Sequence, residues 1–469
     1  MDSLNNLNND KAAIVKKVHI ETWGCQMNVA DSEKMLSLLQ QRNYELTLNV
    51  DEADLVLLNT CHIREKARHK VLSRLGVLNQ LKNKKPELKI AVSGCVAQAD
   101  GKKLIELAPQ IDILIGPGKI DQIGHFIDAT PHNGVPQVAL GFDRHSEEQN
   151  STSTDDIGKF IAPTVSGKKE VTRFVNVIQG CNNFCTFCVV PFTRGREVSK
   201  EKSQILNEVR GLVDQGVREI TLLGQNVNSY GLDFIKTEIV PQDGGPFVEL
   251  LKAVSEVQGL ERIRFTTSNP HDFTRPLANL FASNKKMGRY IHLPVQSGND
   301  HILERMKRKV TVSEYLGRIN WLKEAVPDIA ISTDLIVGFP GETEEEFEDT
   351  LKLISEVEYS FVYAFKYSAR KGTAAARFSN HLSEEIMEAR LKRLNDIQNA
   401  ITLKQNQAEI GQVRDVLFFY ENSKIPGMYV GRSEHYRTVR VKSERNLVGL
   451  TLPVIITASN KIAMEGILN

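Results

Sequence analysis

Six cysteines lie along this chain in two sets of three, and each set constrains a different part of the fold. Cys181, Cys185 and Cys188 stand in one run, Gly-Cys-Asn-Asn-Phe-Cys-Thr-Phe-Cys, with the spacing CxxxCxxC. Cys25, Cys61 and Cys95 are dispersed, and each ends an apolar run: Val18–Gly24, Leu55–Thr60 and Lys89–Gly94. Three thiolates hold an iron–sulfur cluster by three of its four irons and leave the fourth open to another ligand. Two such open clusters in one chain imply redox chemistry on a substrate, beyond electron storage.

Other readings of the cysteines fit less well. A disulfide framework is unexpected in a chain of 469 residues whose N-terminus lacks the apolar centre of a signal peptide. Structural zinc normally takes four ligands, and neither set supplies four. Inert burial gives no reason for CxxxCxxC. There is no Walker-type phosphate loop and no GxSxG, and His62 and His292 read more readily as hydrogen-bonded structural residues than as bases. No apolar stretch is long enough to span a membrane, so no membrane partner is expected. The net charge of +1 says little about partners. The basic run from Arg64 to Lys89 reads as the solvated side of a helix, with nucleic-acid contact as the alternative.

Hydrophobic periodicity organises the chain into three folded parts with α/β character. Residues 1–16 read as a disordered lead-in. Residues 17–135 alternate strands at 17–23, 54–59, 88–93 and 111–115 with amphipathic helices. This implies a doubly wound parallel sheet, in which ligands bind beyond the carboxyl ends of the strands. Cys25, Cys61 and Cys95 sit just past three such ends and should converge. Residues 136–166 read as a polar linker. Between 167 and 400, six βα units predict a partial (β/α)6 barrel with its working face at the C-terminal strand ends. Residues 408–469 read as a small all-β barrel of short strands at 412–420, 427–430, 438–442 and 450–457.

CxxxCxxC follows the first strand of the central barrel, where one loop can wrap a single 4Fe-4S cluster. S-adenosylmethionine can chelate the open iron, and one electron then breaks its sulfonium bond to give a 5′-deoxyadenosyl radical. Phe187 is placed to pack beside the cofactor or to cover the loop. Polar residues at later strand ends, Gln225, Ser268, Gln296 and Asp334, are candidates for its ribose and carboxylate contacts. Gly338, Pro340 and Gly341 read as a turn into the next helix. In the C-terminal barrel, Arg432, Arg437 and Arg440 lie among Phe418, Phe419, Tyr420, Tyr429 and Tyr436. Cations interleaved with aromatics suit RNA phosphates and bases, although several rings must be core.

These motifs together resemble the methylthiotransferase branch of the radical S-adenosylmethionine enzymes, and within it the members that act on isopentenyladenosine in tRNA. The matching residues are Gly24–Asn28, Asn59–Ala67, Ser93–Gln98, Gly180–Glu197 and Leu222–Gly231, and the likeness runs from about residue 17 to 467. It implies an N-terminal methylthiotransferase domain, a radical barrel and a C-terminal RNA-binding TRAM barrel. It also implies that Cys25, Cys61 and Cys95 hold a second 4Fe-4S cluster that delivers sulfur. One S-adenosylmethionine would methylate that sulfur and another would supply the radical. The implied substrate is tRNA carrying N6-isopentenyladenosine next to the anticodon, modified at carbon 2. A flavodoxin-type electron donor, a sulfur donor and a cytoplasmic location follow from the same resemblance. The nearest rivals are sister enzymes acting on threonylcarbamoyl-adenosine or on a ribosomal aspartate. Gly24–Asn28 and the Val189–Gly195 extension favour the isopentenyl branch. Asn269, Asn299 and Lys309 depart from the usual pattern, and none is a cluster ligand.

Overall fold

The computed structural model describes residues 15–61, 65–130, 134–142 and 170–469. The lead-in before residue 15, His62 and most of the linker lie outside them. The chain divides into two compact units, one before the linker and one after it.

The first unit is a six-stranded parallel sheet in the order β2-β1-β3-β4-β5-β6. Its strands are β1 (Lys16–Trp23), β2 (Tyr44–Leu46), β3 (Leu55–Thr60), β4 (Lys89–Gly94), β5 (Ile113–Ile115) and β6 (Gln137–Ala139). Alternation places successive side chains on opposite faces. Leu55 and Leu57 accordingly pack with Val18, Met35, Leu36 and Leu39, while Val56 and Leu58 pack with Val71, Leu75 and Leu78. Both faces are covered, as a doubly wound sheet requires. Each fully buried Leu, Ile or Val contributes about 1.5–3 kcal/mol. The outermost strands, β2 and β6, have three residues each, too few to show a period in sequence. The second falls inside the segment read as linker, so the ordered sheet runs past residue 135. The basic run is largely engaged within the unit: Arg74 bonds Glu21, Lys82 bonds Asp112, Lys85 bonds Asp54, and Lys70 lies over the Trp23 ring.

In the second unit, the parallel strands β7 (Thr172–Asn176), β10 (Glu219–Leu223) and β11 (Arg262–Thr266) form one half of the barrel. Strands β12 (Tyr290–His292), β13 (Ala330–Val337) and β14 (Phe361–Lys366) form the other. A single parallel bridge, Ile263 to Met287, joins the halves. β8 (Ile178–Gln179) and β9 (Val198–Ser199) make a short antiparallel clip whose intervening loop carries CxxxCxxC. Gly338 and Gly341 have φ of +74° and +78° and lead into the helix Glu344–Val357, whose cap Thr343 forms a capping box with Glu346.

The C-terminal barrel closes in the order β15-β16-β17-β19-β18, from β15 (Val413–Glu421), β16 (Met428–Ser433), β17 (Thr438–Lys442), β18 (Thr451–Ser459) and β19 (Met464–Leu468). β19 is the strand that the sequence conceals. Gly466 interrupts its pattern, and a Cβ there would meet Val454 at 2.4 Å. Phe418 and Tyr429 are core, whereas Tyr420 is exposed.

The junction between the two barrels is polar and buried. Glu219, Arg262 and Arg264 start β10 and β11 at the N-terminal end of the radical barrel. The Glu219 carboxylate accepts from Arg264 Nε at 2.9 Å and Arg262 Nη1 at 3.4 Å. The remaining guanidinium N–H groups donate to the carbonyls of Asp415, Arg432, Ser433 and Glu434 at 2.9–3.2 Å. Tyr436, with φ of +67°, stacks on Tyr290 at 4.4 Å between ring centroids. The turn between β16 and β17 therefore closes the floor of the radical barrel.

Candidate active site

Strands β1, β3 and β4 are consecutive neighbours, with Trp23 beside Thr60 and Thr60 beside Gly94. The residue one or two places beyond each aligned end is a cysteine. Cys25 caps the helix Gln26–Gln40 and Cys95 opens the helix Cys95–Asp100, so two of the thiols sit at helix N-termini, where negative charge is favoured. The backbone must come close here. A Cβ on Gly24 would stand 2.9 Å from Cys61 Cβ, and Gly94, at φ +92°, has the Thr60 carbonyl where its Cβ would be. A buried amide network backs the group: Asn59 Nδ2 donates to the Asn28 carbonyl at 2.7 Å, and Asn28 Oδ1 accepts from Cys25 Sγ at 3.4 Å. Hydrogen bonding to Cys25 and then to Cys95, with burial added, pushes the Cys61 thiol well above its ordinary range. The three dispersed thiols have thus come together.

The compact triad sits on the β8–β9 loop. Gly180, at φ +82°, is pressed against the Arg196 carbonyl, which a Cβ would approach to 1.9 Å. Its N–H donates to Gln225 Oε1 at 2.5 Å. Gln225, expected at the cofactor, therefore supports the cysteine loop. Glu197 braces the other side, accepting from the Asn182 N–H at 3.2 Å, and burial pushes its carboxyl up to about 7. Arg308 Nη1 lies 3.7 Å from Cys185 Sγ, while Nη2 donates to the Pro294 carbonyl at 2.8 Å. Burial pushes the Cys181 thiol up to about 11 and the Cys188 thiol up to about 12. Iron binds the deprotonated thiolates, so loading this triad would displace their protons. A cubane spreads its ligands over three irons. Among the described residues, no group of three or more His, Cys, Asp or Glu closes around one point as a single ion requires.

The ends of the first three barrel strands fit a polar cofactor. Ser268 Oγ, Asn226 Oδ1 and Asn176 Oδ1 are buried atoms with no hydrogen-bond partner in the protein. Such atoms cost about 1–3 kcal/mol each when left unmet. Asn176 ends β7, and Asn226 and Ser268 follow β10 and β11, on the side of the cysteine loop, where an amino acid carboxylate and a ribose would meet them. Ser268 was legible as a strand-end serine; Asn176 and Asn226 were not. Backbone strain marks the same rim, since Thr267 has φ of +68° and Gln296 of +86°. Asp334 lies 3.5 Å from His292 Nε2, and His292 Nδ1 shares a hydrogen bond with Ser332 at 2.9 Å, so that histidine is held in place. Phe187 packs with Ile336 against Met306, Phe339 and Tyr367. The departures Asn269 and Asn299 act as caps, accepting from the N–H groups of His271 and Ile302.

The three arginines expected at RNA differ in placement. Arg440 is exposed. Arg432 lies over the rings of Tyr436 and Phe419, at 4.1 and 5.6 Å. Arg437 is turned inward, donating to Gln405 Oε1 at 3.1 Å and to Asn406 on the helix Glu384–Ala408. The expectation for Arg437 changes accordingly: its guanidinium ties the C-terminal barrel to that helix.

Comparison with known proteins agrees with this geometry. Residues 17–116 match the uncharacterized protein family UPF0004, and residues 175–354 match the radical SAM superfamily. The fold resembles that of the radical S-adenosylmethionine methyltransferase TsrM from Kitasatospora setae, solved with cobalamin and a 4Fe-4S cluster bound. The TM-score is 0.55 at 12% identity, over 89% of this chain and 81% of that one. Fold and cysteine loop define a radical S-adenosylmethionine enzyme. A tRNA-2-methylthio-N(6)-dimethylallyladenosine synthase from Geotalea uraniireducens is 43% identical over 453 residues, 96% of this chain and 98% of its own length. The synthase of that name from Pseudomonas aeruginosa (strain UCBPP-PA14) is 42% identical over 460 residues, 97% of this chain and 99% of its own. The chain belongs to the tRNA-2-methylthio-N(6)-dimethylallyladenosine synthase family.

Proposed function

We propose that this enzyme inserts sulfur and a methyl group at carbon 2 of N6-isopentenyladenosine next to the anticodon of tRNA. The product is 2-methylthio-N6-isopentenyladenosine; isopentenyl is the dimethylallyl group of the relatives' name. The observation that carries this reading is one cysteine triad gathered past the ends of three parallel strands and a second on the loop of the β8–β9 clip, in a chain matching such synthases over nearly its whole length. Carbon 2 of adenine bears an unactivated C–H bond that no side-chain base can deprotonate. When bound, the two 4Fe-4S clusters and S-adenosylmethionine supply the one-electron and sulfur chemistry that this bond demands.

The chain's own residues prepare that chemistry. Cys181, Cys185 and Cys188 would hold one cluster, and Cys25, Cys61 and Cys95 the other. Gln225 and Glu197 fix the loop, and Arg308 keeps a positive charge beside Cys185. Ser268, Asn226 and Asn176 offer hydrogen bonds to S-adenosylmethionine, with Gln296 and Asp334 on the same rim. Phe187 and Ile336 keep the rim apolar and dry, which protects a reactive species from quenching. Residues 17–142 form the methylthiotransferase domain, 170–408 the radical barrel and 413–468 the TRAM barrel, which meets RNA through Arg440 with Arg432 beside it. A flavodoxin-type reductant and a separate sulfur donor act on the enzyme in the cytoplasm. No helix among the described residues is long and apolar enough to cross a membrane.

Anaerobic reconstitution with iron and sulfide, followed by S-adenosylmethionine, reductant and tRNA, tests the reading by nucleoside mass spectrometry. Isopentenylated tRNA should gain the methylthio group, and tRNA lacking the isopentenyl group should gain little. Equal modification of both would favour a sister specificity.

A further inference from the structure

Strand β14 carries a row of rings that the chemistry above leaves unused. Phe361, Tyr363 and Phe365 alternate along it and are 47%, 43% and 37% exposed, whereas Val362 between them is buried. Their face is the inner face of the radical barrel. Tyr363 stands beside Asp334 and Phe365 beside Ile336 in the β13 register. The His292 ring meets Tyr363 edge-to-face at 5.5 Å, and Phe361 meets Tyr363 at 4.6 Å. At the end nearer the cysteine loop the row adjoins Ile336, which packs against the same buried cluster (Met306, Phe339 and Tyr367) as Phe187, the residue before Cys188. β14 is also an edge strand of its sheet, with β13 as its single strand neighbour.

Large rings scattered singly on a surface need no explanation, but three in register along a concave wall do. A folded protein surface does not enter the inside of a barrel; a single extruded base does, and enzymes that modify bases take them out of the stack. A purine offers a flat face to stack on aromatic side chains, with a polar edge that Asp334 and His292 can meet. A five-carbon N6 substituent needs apolar walls, which Phe365 and Ile336 provide. We propose that the Phe361–Tyr363–Phe365 row receives the extruded adenine and its dimethylallyl chain, and so sets the preference for isopentenylated RNA; this rests on the function proposed above.

The test uses the full-length holoenzyme and a synthetic anticodon stem–loop RNA, carrying either N6-isopentenyladenosine or plain adenosine next to the anticodon. The quantity read is the ratio of the two dissociation constants. In Tyr363→Ala and Phe365→Ala the preference should fall by on the order of tenfold. Tyr363→Phe should restore it, and Ile462→Ala, on the exposed surface of the C-terminal barrel, should match wild type. An undiminished preference in both alanine variants of an active enzyme would overturn the assignment of the row alone. A wild-type enzyme with no preference and no methylthiolation would overturn the proposed function, and the row's role with it.

Discussion

Cys185→Ala abolishes 5′-deoxyadenosine formation while leaving the cluster of the N-terminal unit in place. Cys185 is the middle ligand of a loop that is fixed at both ends. Gly180 is held by Gln225 on one side, and Asn182 is held by Glu197 on the other. Cys188 is half-buried, with its Sγ accepting from the Val190 N–H at 3.5 Å. With the loop so constrained, no other thiol among the described residues of that unit can take the vacant iron. Arg308 would then face an uncharged methyl group where it now faces sulfur. The triad of Cys25, Cys61 and Cys95 belongs to another sheet and is untouched. The measurements are deoxyadenosine by chromatography and iron content on the same sample, with iron falling by about half. Cys61→Ala is the complementary variant: it should still cleave S-adenosylmethionine and insert no sulfur. Deoxyadenosine at the wild-type rate from Cys185→Ala would show that the compact triad does not generate the radical.

Glu219→Ala destabilises the second unit by about 3–5 kcal/mol, the cost of leaving buried cations without their anion. Glu219 is 1% exposed and lies against two guanidinium groups that also hold four carbonyls of the C-terminal barrel. Burial alone would raise its pKa, but Arg264 and Arg262 outweigh it and hold the carboxyl below its ordinary range. A depressed carboxylate contributes stability that is present above its unfolded value and lost as pH falls through its folded value. The wild-type advantage over Glu219→Ala should therefore be full at neutral pH and shrink only in acid below the ordinary glutamate range. Denaturant unfolding at several pH values reads both quantities. A difference under about 0.5 kcal/mol at pH 7, the level of ordinary surface substitutions, would contradict the junction described here. Because the same turn floors the radical barrel, loss of the C-terminal barrel should also unseal the chamber, beyond any loss of RNA affinity.

Much of this was readable before the fold was known. The cysteines ended apolar runs in the first hundred residues, and parallel βα alternation is enough to align those runs. The six strands of the central barrel, readable at 171–178, 217–223, 261–267, 289–295, 329–337 and 360–367, lie within a few residues of those places, because periodic patterns in long elements are strong signals. The short strands β2, β6 and β19 were hidden by length or by Gly466. The site was only partly visible. Cysteines announce themselves by spacing, but Asn176 and Asn226 matter because tertiary folding buries them without partners, and no local pattern records that. Arg437 was misleading for the related reason that composition cannot say which cations face inward. The Glu219–Arg262–Arg264 group likewise joins residues far apart in sequence whose pairing depends on strand register.

Iron and acid-labile sulfide, counted per chain after anaerobic reconstitution, test most directly whether each triad holds its own open cluster. The wild type should bind about eight of each, and replacing Cys25, Cys61 and Cys95 together by alanine should leave about four of each with deoxyadenosine formation intact. A wild-type content of about four that the triple replacement does not lower, or zinc without sulfide, would contradict the account.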